Sequence, residues 1–358
     1  MDVIKLVPEK YLIAFCSRWS VKALVLKGKG RVGLEEIAEP NLEEGEILVK
    51  MHACGICGTD IEKVKGEAIT PPVLGHEVVG EVYKVANRVS QIKHGERVFA
   101  HHHAPCYSCS LCKKGEFTLC DEFPKHNIRP GGFAEFYAVP RWNIEREAVL
   151  KLPDSLPYEI ATFIEPLGCC IRGFRKVWKE GCETAVIYGS GPTGMTFLKL
   201  LKMNSCKVVV ADISEYRRNY AERSGAVSSF DPRDEERKIR ALEILGKQPE
   251  IAIVATGSVS AFSDALKTVS KAGRVLLFGS PPAGSFASVD MPNVFLKGIS
   301  LFTSYSTSEI ETREALKMLS EGRIELGDLI THRFRLDEAV KAFEIAQDQK
   351  CIKAIITN

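Results

Sequence analysis

Four cysteines fall within fifteen residues, as Cys106-x2-Cys109-x2-Cys112-x7-Cys120. No other feature constrains the fold as tightly. Gaps this short let one small lobe wrap a tetrahedral zinc ion. Four thiolates close the tetrahedron, so a zinc held there is structural. The same pattern serves nucleic-acid-reading zinc ribbons, but those need a flanking basic surface. The 358-residue chain has a net charge of +2 and no such surface beside the lobe. Neither nucleic acid nor an anionic membrane is an expected partner.

The chain has twelve cysteines. Residues 11–16 are apolar, but they follow Glu9 and Lys10, lack a basic leader and are short for a signal segment. Residues 1–20 are therefore expected as an extension packed on the body or partly disordered. Without secretion, the cysteines argue for a reducing, cytoplasmic setting rather than a disulfide framework. Cys16, Cys54, Cys169, Cys170, Cys182, Cys206 and Cys351 are expected as small buried hydrophobes. No apolar run approaches the roughly 20 residues that span a bilayer. The length suits two domains.

From residue 21 to about 139 the sequence runs in short β-rich stretches split by Gly and Pro, at 21–26, 45–53, 78–85 and 97–101. Past residue 151 strands and helices alternate. Strands are expected at 184–188, 207–212, 251–255, 274–278 and 299–304, with helices at 193–203, from 213 to about 224, and at 260–270. This is the pattern of a doubly wound parallel sheet. A strand at 330–334, a helix at 336–346 and a strand at 352–356 read as the chain returning to its first domain. The fold class is thus α/β, with a mostly β domain beside a nucleotide-binding one.

Gly189-Ser-Gly191-Pro192-Thr193-Gly194 follows an apolar strand and opens a helix. In that setting the first glycine permits the tight turn, the second lets a pyrophosphate approach, and the third allows helix and strand to touch. The helix N-terminus then offers free N–H groups to the phosphates. Asp212, after the next strand, would accept the adenosine ribose hydroxyls and repel a 2′-phosphate, favouring NAD over NADP. Arg217 and Arg218 lie close behind and could soften that preference. Thr256 and Gly257, after the strand at 251–255, complete the expected cofactor contacts.

Cys57, in Cys-Gly-Thr-Asp, and His76, in Gly-His-Glu, supply a thiolate and an imidazole from turns of the β region. Such a pair, completed by one further ligand, leaves a zinc position open to substrate. Together the clusters and the fingerprint imply a zinc-dependent, nicotinamide-linked dehydrogenase.

These motifs, in this order and joined by Gly132-Phe-Ala-Glu135, resemble the zinc-containing medium-chain dehydrogenase/reductase family over nearly the whole chain beyond residue 20. The resemblance implies a GroES-like catalytic domain at 1–167 plus 309–358, with its structural-zinc lobe at 101–122. A Rossmann domain at 168–308 would bind the cofactor, and the active site would lie between the two. Ile164-Glu165-Pro166-Leu167, 24 residues before Gly189, looks like the sorbitol (polyol) dehydrogenase branch. That branch would place Cys57, His76 and Glu165 around the catalytic zinc, with Glu77 exchangeable; Cys169 and Cys170 are rivals to Glu165.

By the same resemblance Thr59 hydrogen-bonds the reacting oxygen and passes its proton outward, and Asp60 orients the ligands from behind. Many relatives carry a histidine five residues after the ligand cysteine as a proton relay; this chain has Glu62 there, so either Glu62 or water serves. His102, four residues before Cys106, would line the substrate pocket, with Lys125 a weaker contributor. A polar pocket favours a secondary hydroxyl on a polyol, sugar or cyclitol. L-threonine dehydrogenase activity is the nearest rival, and a non-catalytic zinc- and nucleotide-binding protein the more distant one. A dimer or tetramer is expected, with residues 299–304 as the edge strand available for pairing.

Overall fold

The computed structural model describes residues 20–28, 30–66 and 72–358. The expected N-terminal extension, apart from Ser20, lies outside the described residues. The described residues open with an antiparallel ribbon of β1 (Ser20–Gly28) and β2 (Arg31–Ala38). It continues through β3 (Ile47–Gly55), β4 (Glu77–Val85), β5 (Arg97–Ala100), β6 (Phe136–Val139) and β7 (Val149–Lys151). The strands β8 (Thr184–Tyr188), β9 (Lys207–Ala211), β10 (Ser228–Phe230), β11 (Ile251–Val254), β12 (Arg274–Leu277) and β13 (Ser300–Thr303) alternate with helices. Finally come β14 (Ile330–Arg335) and β15 (Lys353–Thr357).

These strands build two principal sheets. The six-stranded sheet runs in the order β10-β9-β8-β11-β12-β13 with every pairing parallel. Its central strands are buried on both faces, so they read as unbroken apolar runs such as Thr-Ala-Val-Ile-Tyr. The order reverses at β8, which places the fingerprint at a topological switch point, where such sheets bind ligands. The seven-stranded sheet runs β14-β15-β3-β4-β5-β7, with β6 also paired to β3. β15 joins antiparallel to β3, Ile355 facing Gly55. The tail therefore returns to the first sheet, as its sequence suggests.

The helix Ile164–Val177 crosses the boundary expected after residue 167 without a break. It packs along the helix Glu309–Ser320, which opens the returning segment. Gly168 makes that approach possible: a Cβ there would sit 2.7 Å from Thr307 Oγ1. One core of buried residues runs from Ala53, Val79 and Phe99 through Phe163 and Leu167 to Ile187 and Ile253, so the two sheets share apolar packing. Among the described residues no helix is long and apolar enough to cross a membrane.

Candidate active site and cofactor cleft

β3 ends at Gly55, and Cys57 caps the helix Gly58–Lys65. The cap is a reciprocal box: Asp60 Oδ2 accepts from Cys57 N–H at 3.1 Å while the Cys57 side chain faces the N–H of Asp60. Asp60 is fully buried, and its other oxygen accepts from Gly75 N–H at 3.3 Å and lies 3.3 Å from His76 Nδ1. One carboxylate thus fixes the thiol's turn and the imidazole's ring together. Gly75 has φ 93°, and a Cβ there would meet Phe133 N at 2.8 Å, so the loop presenting His76 requires glycine.

Ligand atoms of Cys57, His76 and Glu77 all lie within 4.8 Å of one another. Burial opposes charge on His76, but Asp60 and Cys57 beside it outweigh burial and raise its pKa well above the ordinary value. The pocket favours positive charge, and its thiol, imidazole and carboxylate are a zinc donor set. These residues fit the ion. Glu77 is also paired with the buried Lys353 ammonium, which donates to Ile56 carbonyl at 3.0 Å. Burial works against charge on Lys353, and Glu77 more than offsets it, raising the lysine's pKa.

Glu165, on the first turn of the helix Ile164–Val177, joins a second set: its carboxylate and ring nitrogens of His101 and His102 lie within 4.8 Å of one another. The two sets abut, with the His76 and His102 rings 4.9 Å apart. Cys169 donates to Glu165 Oε1 at 3.2 Å. Burial, with Glu165 next to them, pushes both Cys169 and Cys170 well above the ordinary thiol pKa, so they stand as protonated neighbours. Burial likewise drives His102 well below the usual histidine range, with His103 and His76 adding to it. His102 is therefore a neutral imidazole.

Thr59 stands exposed on the first turn after Cys57. Glu62 points outward with its side chain 70% exposed and paired to Lys65 at 3.0 Å. Lys125 is exposed and bound to Glu122 at 2.7 Å.

The four lobe thiols converge within 4.8 Å. Cys106 Sγ accepts from Ser108 N–H at 3.4 Å, Ser108 Oγ–H at 3.4 Å and Cys109 N–H at 3.3 Å. The Ser108 hydroxyl bond leads in pulling its pKa down to about 6, whereas burial, then its sister thiols, push Cys112 up to about 12. Crowded thiols compete for ionisation in this way until a cation neutralises them all. Tyr107, between the first two cysteines, donates to Glu309, and Arg172 reaches Glu116 at 3.2 Å. The lobe is therefore tied to the two helices that flank the site.

In the nucleotide cleft, Gly189 has φ 93°, and a Cβ on Gly194 would lie 1.9 Å from the Gly189 carbonyl. Gly191 caps the helix Pro192–Met203, with Pro192 and Thr193 on its first turn. A Cβ on Gly191 would meet nothing nearer than Arg217 Nη1 at 3.6 Å, which leaves the helix mouth open to a pyrophosphate. Asp212 Oδ2 accepts from Ser190 N–H at 2.7 Å and its hydroxyl at 3.0 Å, and Oδ1 accepts from Ser214 N–H at 2.8 Å. Arg217 bonds the Cys351 carbonyl at 3.4 Å, and Arg218 the Asp212 carbonyl at 2.7 Å. Thr256 and Gly257 follow β11; a Cβ on Gly257 would meet the Ser280 carbonyl at 2.5 Å. A dinucleotide fits this cradle.

Sequence reasoning missed His101, Glu309, Tyr107 and Lys353. A lysine inside the apolar run Ile352-Lys353-Ala-Ile-Ile356 was the one local signal that a buried partner existed.

The family model for the alcohol dehydrogenase GroES-like domain matches residues 43–154, and that for the zinc-binding dehydrogenases matches residues 192–321. Fold, clusters and both matches agree: the chain belongs to the zinc-containing medium-chain dehydrogenase/reductase family, an oxidoreductase family. It is 28% identical over 341 residues to the L-threonine 3-dehydrogenase of Escherichia fergusonii, covering 93% of this chain and 98% of that one. An alcohol dehydrogenase of Escherichia coli CFT073, in complex with NADH, superposes with a TM-score of 0.83 at 26% identity, covering 95% and 99%. A protein of zinc-binding dehydrogenase type from Sinorhizobium meliloti 1021, bound to NADP, does so at 0.83 and 25%, covering 95% and 100%.

Proposed function

We propose that this protein oxidises a secondary hydroxyl of a polyol, sugar or cyclitol to a ketone, with NAD as hydride acceptor. The supporting observation is the polar wall: His102 and Glu165, with the buried His101 behind them, converge beside Cys57, His76 and Glu77. An aliphatic alcohol gains nothing from such a wall, whereas a second hydroxyl satisfies it. Cys57, His76 and Glu165 would hold the catalytic zinc, with Glu77 as the exchangeable ligand, and the lobe thiols a second, structural zinc. When bound, zinc supplies a Lewis acid that lowers an alcohol's pKa, and NAD supplies a hydride acceptor.

The chain's own residues do the rest. Thr59 hydrogen-bonds the reacting hydroxyl and hands its proton to solvent at the exposed helix turn, where Glu62 stands one turn further on. Asp60 holds His76 and the Cys57 turn in place. His102, neutral, offers a donor and an acceptor to further hydroxyls. The Gly189–Gly194 turn and the helix N-terminus orient the dinucleotide. Asp212 favours NAD, while Arg217, Arg218 and the NADP-bound neighbour keep NADP as the second cofactor to assay.

We take the catalytic part as 1–167 with 309–358 and the cofactor part as 168–308. The cytoplasmic setting we propose is supported by the eleven described cysteines, all of them free. The edge strand β13 and the helix before it expose Met291, Phe295, Leu296 and Leu301, which supports pairing of two copies along β13. Oxidation of L-threonine is the second reading, favoured by the relatives of that name.

The test is NAD and NADP reduction across polyols, aldoses, inositols, L-threonine and simple alcohols, before and after chelation and zinc return. Zinc-restorable turnover of a polyol or cyclitol is expected. Turnover of L-threonine alone would replace the polyol reading, and silence across the panel with NAD still binding would sink both.

A further inference from the structure

His101 has no accessible surface, yet its side chain is only half satisfied. Its Nδ1 lies 3.0 Å from Glu309 Oε1, and Tyr107 donates its hydroxyl to Glu309 Oε2. A carboxylate that accepts from both fixes a proton on Nδ1 and leaves Nε2 as the ring's remaining ligand atom. That Nε2 is buried and meets no hydrogen-bond partner among the described residues; nor do the buried Nδ1 atoms of His102 and His103. A buried polar atom without a partner costs about 1–3 kcal/mol, so three in one place need a reason. The adjacent Glu165 carboxylate completes a triangle of ligand atoms, all within 4.8 Å of one another.

We propose that His101, His102 and Glu165 form a second divalent-cation site, abutting the Cys57–His76–Glu77 centre and built for a borderline ion of the zinc class. Two imidazoles and a carboxylate are a zinc donor set that keeps one position open. Glu309 supplies what such a site needs behind it: metal-bound histidines commonly donate their other N–H to a carboxylate, which sets the tautomer and orients the ring. Tyr107 pins that carboxylate from the other side. Glu165 has two oxygens, so it can serve this ion and the catalytic one together, as carboxylates shared between close metal pairs do. No thiolate belongs to the new site, which separates it from both other clusters.

One consequence rests on the proposed alcohol oxidation. An ion here takes His102 out of the substrate wall, so zinc beyond the catalytic and structural equivalents raises the KM for a polyol.

The site itself is tested without activity. Full-length protein, stripped with chelator, is dialysed against zinc and its bound metal counted. Three equivalents are expected, the last weaker than the others. With cobalt in place of zinc, the first two equivalents give thiolate-to-metal absorption and the third adds none. His101→Ala should lose only the third equivalent, and Glu309→Gln should weaken it about 10–100-fold. Two equivalents in the wild type, or a third that neither variant changes, overturns the proposal. If His101→Ala fails to fold, seen as loss of the lobe's cobalt–thiolate band, Glu309→Gln decides alone. Failure of the alcohol reading leaves the metal count untouched, and failure of the metal count leaves turnover untouched, so the two are separable.

Discussion

Replacing Lys353 with Met should cost this protein more stability than most single changes in its core. The Lys353 and Glu77 side chains are each 1% exposed, and the ammonium answers both that carboxylate and the Ile56 carbonyl. Met keeps the volume and removes the charge. Breaking a buried pair from one side costs about 3–5 kcal/mol, because the remaining charge is stranded. Glu77 has one escape, which is to take up a proton. Burial, more than any neighbour, already raises its pKa even with Lys353 present. Holding a carboxyl neutral near pH 7, against an unfolded value of about 4.3, costs about 1.36 kcal/mol per unit, or roughly 3–4 kcal/mol. The two estimates agree. The sign follows: in Lys353→Met the folded Glu77 pKa lies above the unfolded one, so stability is full below about pH 4.3 and is lost as pH rises. Urea denaturation of chelated protein at neutral and mildly acid pH reads this directly. The deficit should be about 3–4 kcal/mol at pH 7, shrink toward pH 5, and shrink also when zinc is restored beside Glu77. Glu77→Gln/Lys353→Met should recover about 2 kcal/mol or more of it. A Lys353→Met loss under about 1 kcal/mol at pH 7, or one independent of pH, would refute the reasoning.

Burial, with His101 and His76 adding to it, drives His103 down to about 2, so the folded protein keeps it neutral where the unfolded chain, near 6.5, takes up a proton. Stability should therefore fall as pH drops below about 6.5, by about 1.4 kcal/mol per pH unit from this residue, and His103→Asn should flatten the urea-midpoint profile. Gly194→Ala places a methyl against the Gly189 carbonyl and should lower both Tm and NADH affinity, the strain being about 1–3 kcal/mol. Gly191→Ala, with open space around its Cβ, should weaken NADH binding in a fluorescence titration while leaving Tm unchanged. Leu301→Asp on the exposed edge strand should convert an oligomer to monomer in light scattering; an unchanged mass would exclude pairing through β13.

Five of the six strands of the nucleotide-binding sheet were legible in the sequence, whereas the three-residue β10 and the helices Glu235–Glu243 and Met291–Lys297 were not. Parallel strands sandwiched between helices need apolar residues on both faces, and β8 falls at 184–188, where its apolar run predicts it. The helix Ile164–Val177 was not legible as an element. Its Glu165-Pro166, Gly168 and Gly173 contradict helix propensity, and tertiary packing overrides them. A Cβ on Gly168 would crowd Thr307, and one on Gly173 would lie 3.1 Å from both Leu276 and Phe278, so those glycines mark where other elements press closest. The three-residue β7 and the four-residue β6 are too short to show a period of two, and only their pairing to β5 and β3 makes them strands.

The site divides along the same line. Donors that cluster in sequence, such as the lobe cysteines and Cys57 with Asp60, announce themselves, because a metal knuckle or a helix cap needs fixed local spacing. Partners brought together by the fold do not: Glu309 reaches His101 across 208 positions, and Lys353 reaches Glu77 across 276. A lysine amid apolar residues in β15 does say that a carboxylate must meet it, since a lone buried ammonium is too costly to keep. With 46 acidic residues in the chain, only the antiparallel docking of β15 onto β3, which pairs onward with β4, selects Glu77. His101 poses the same problem in reverse. Its neighbours suggest a loop of solvated histidines, and only Glu309, arriving on a helix from the far end of the chain, turns it into a buried imidazole oriented from behind. The chemistry of this site is therefore decided as much by where the tail returns as by the motifs that identify it.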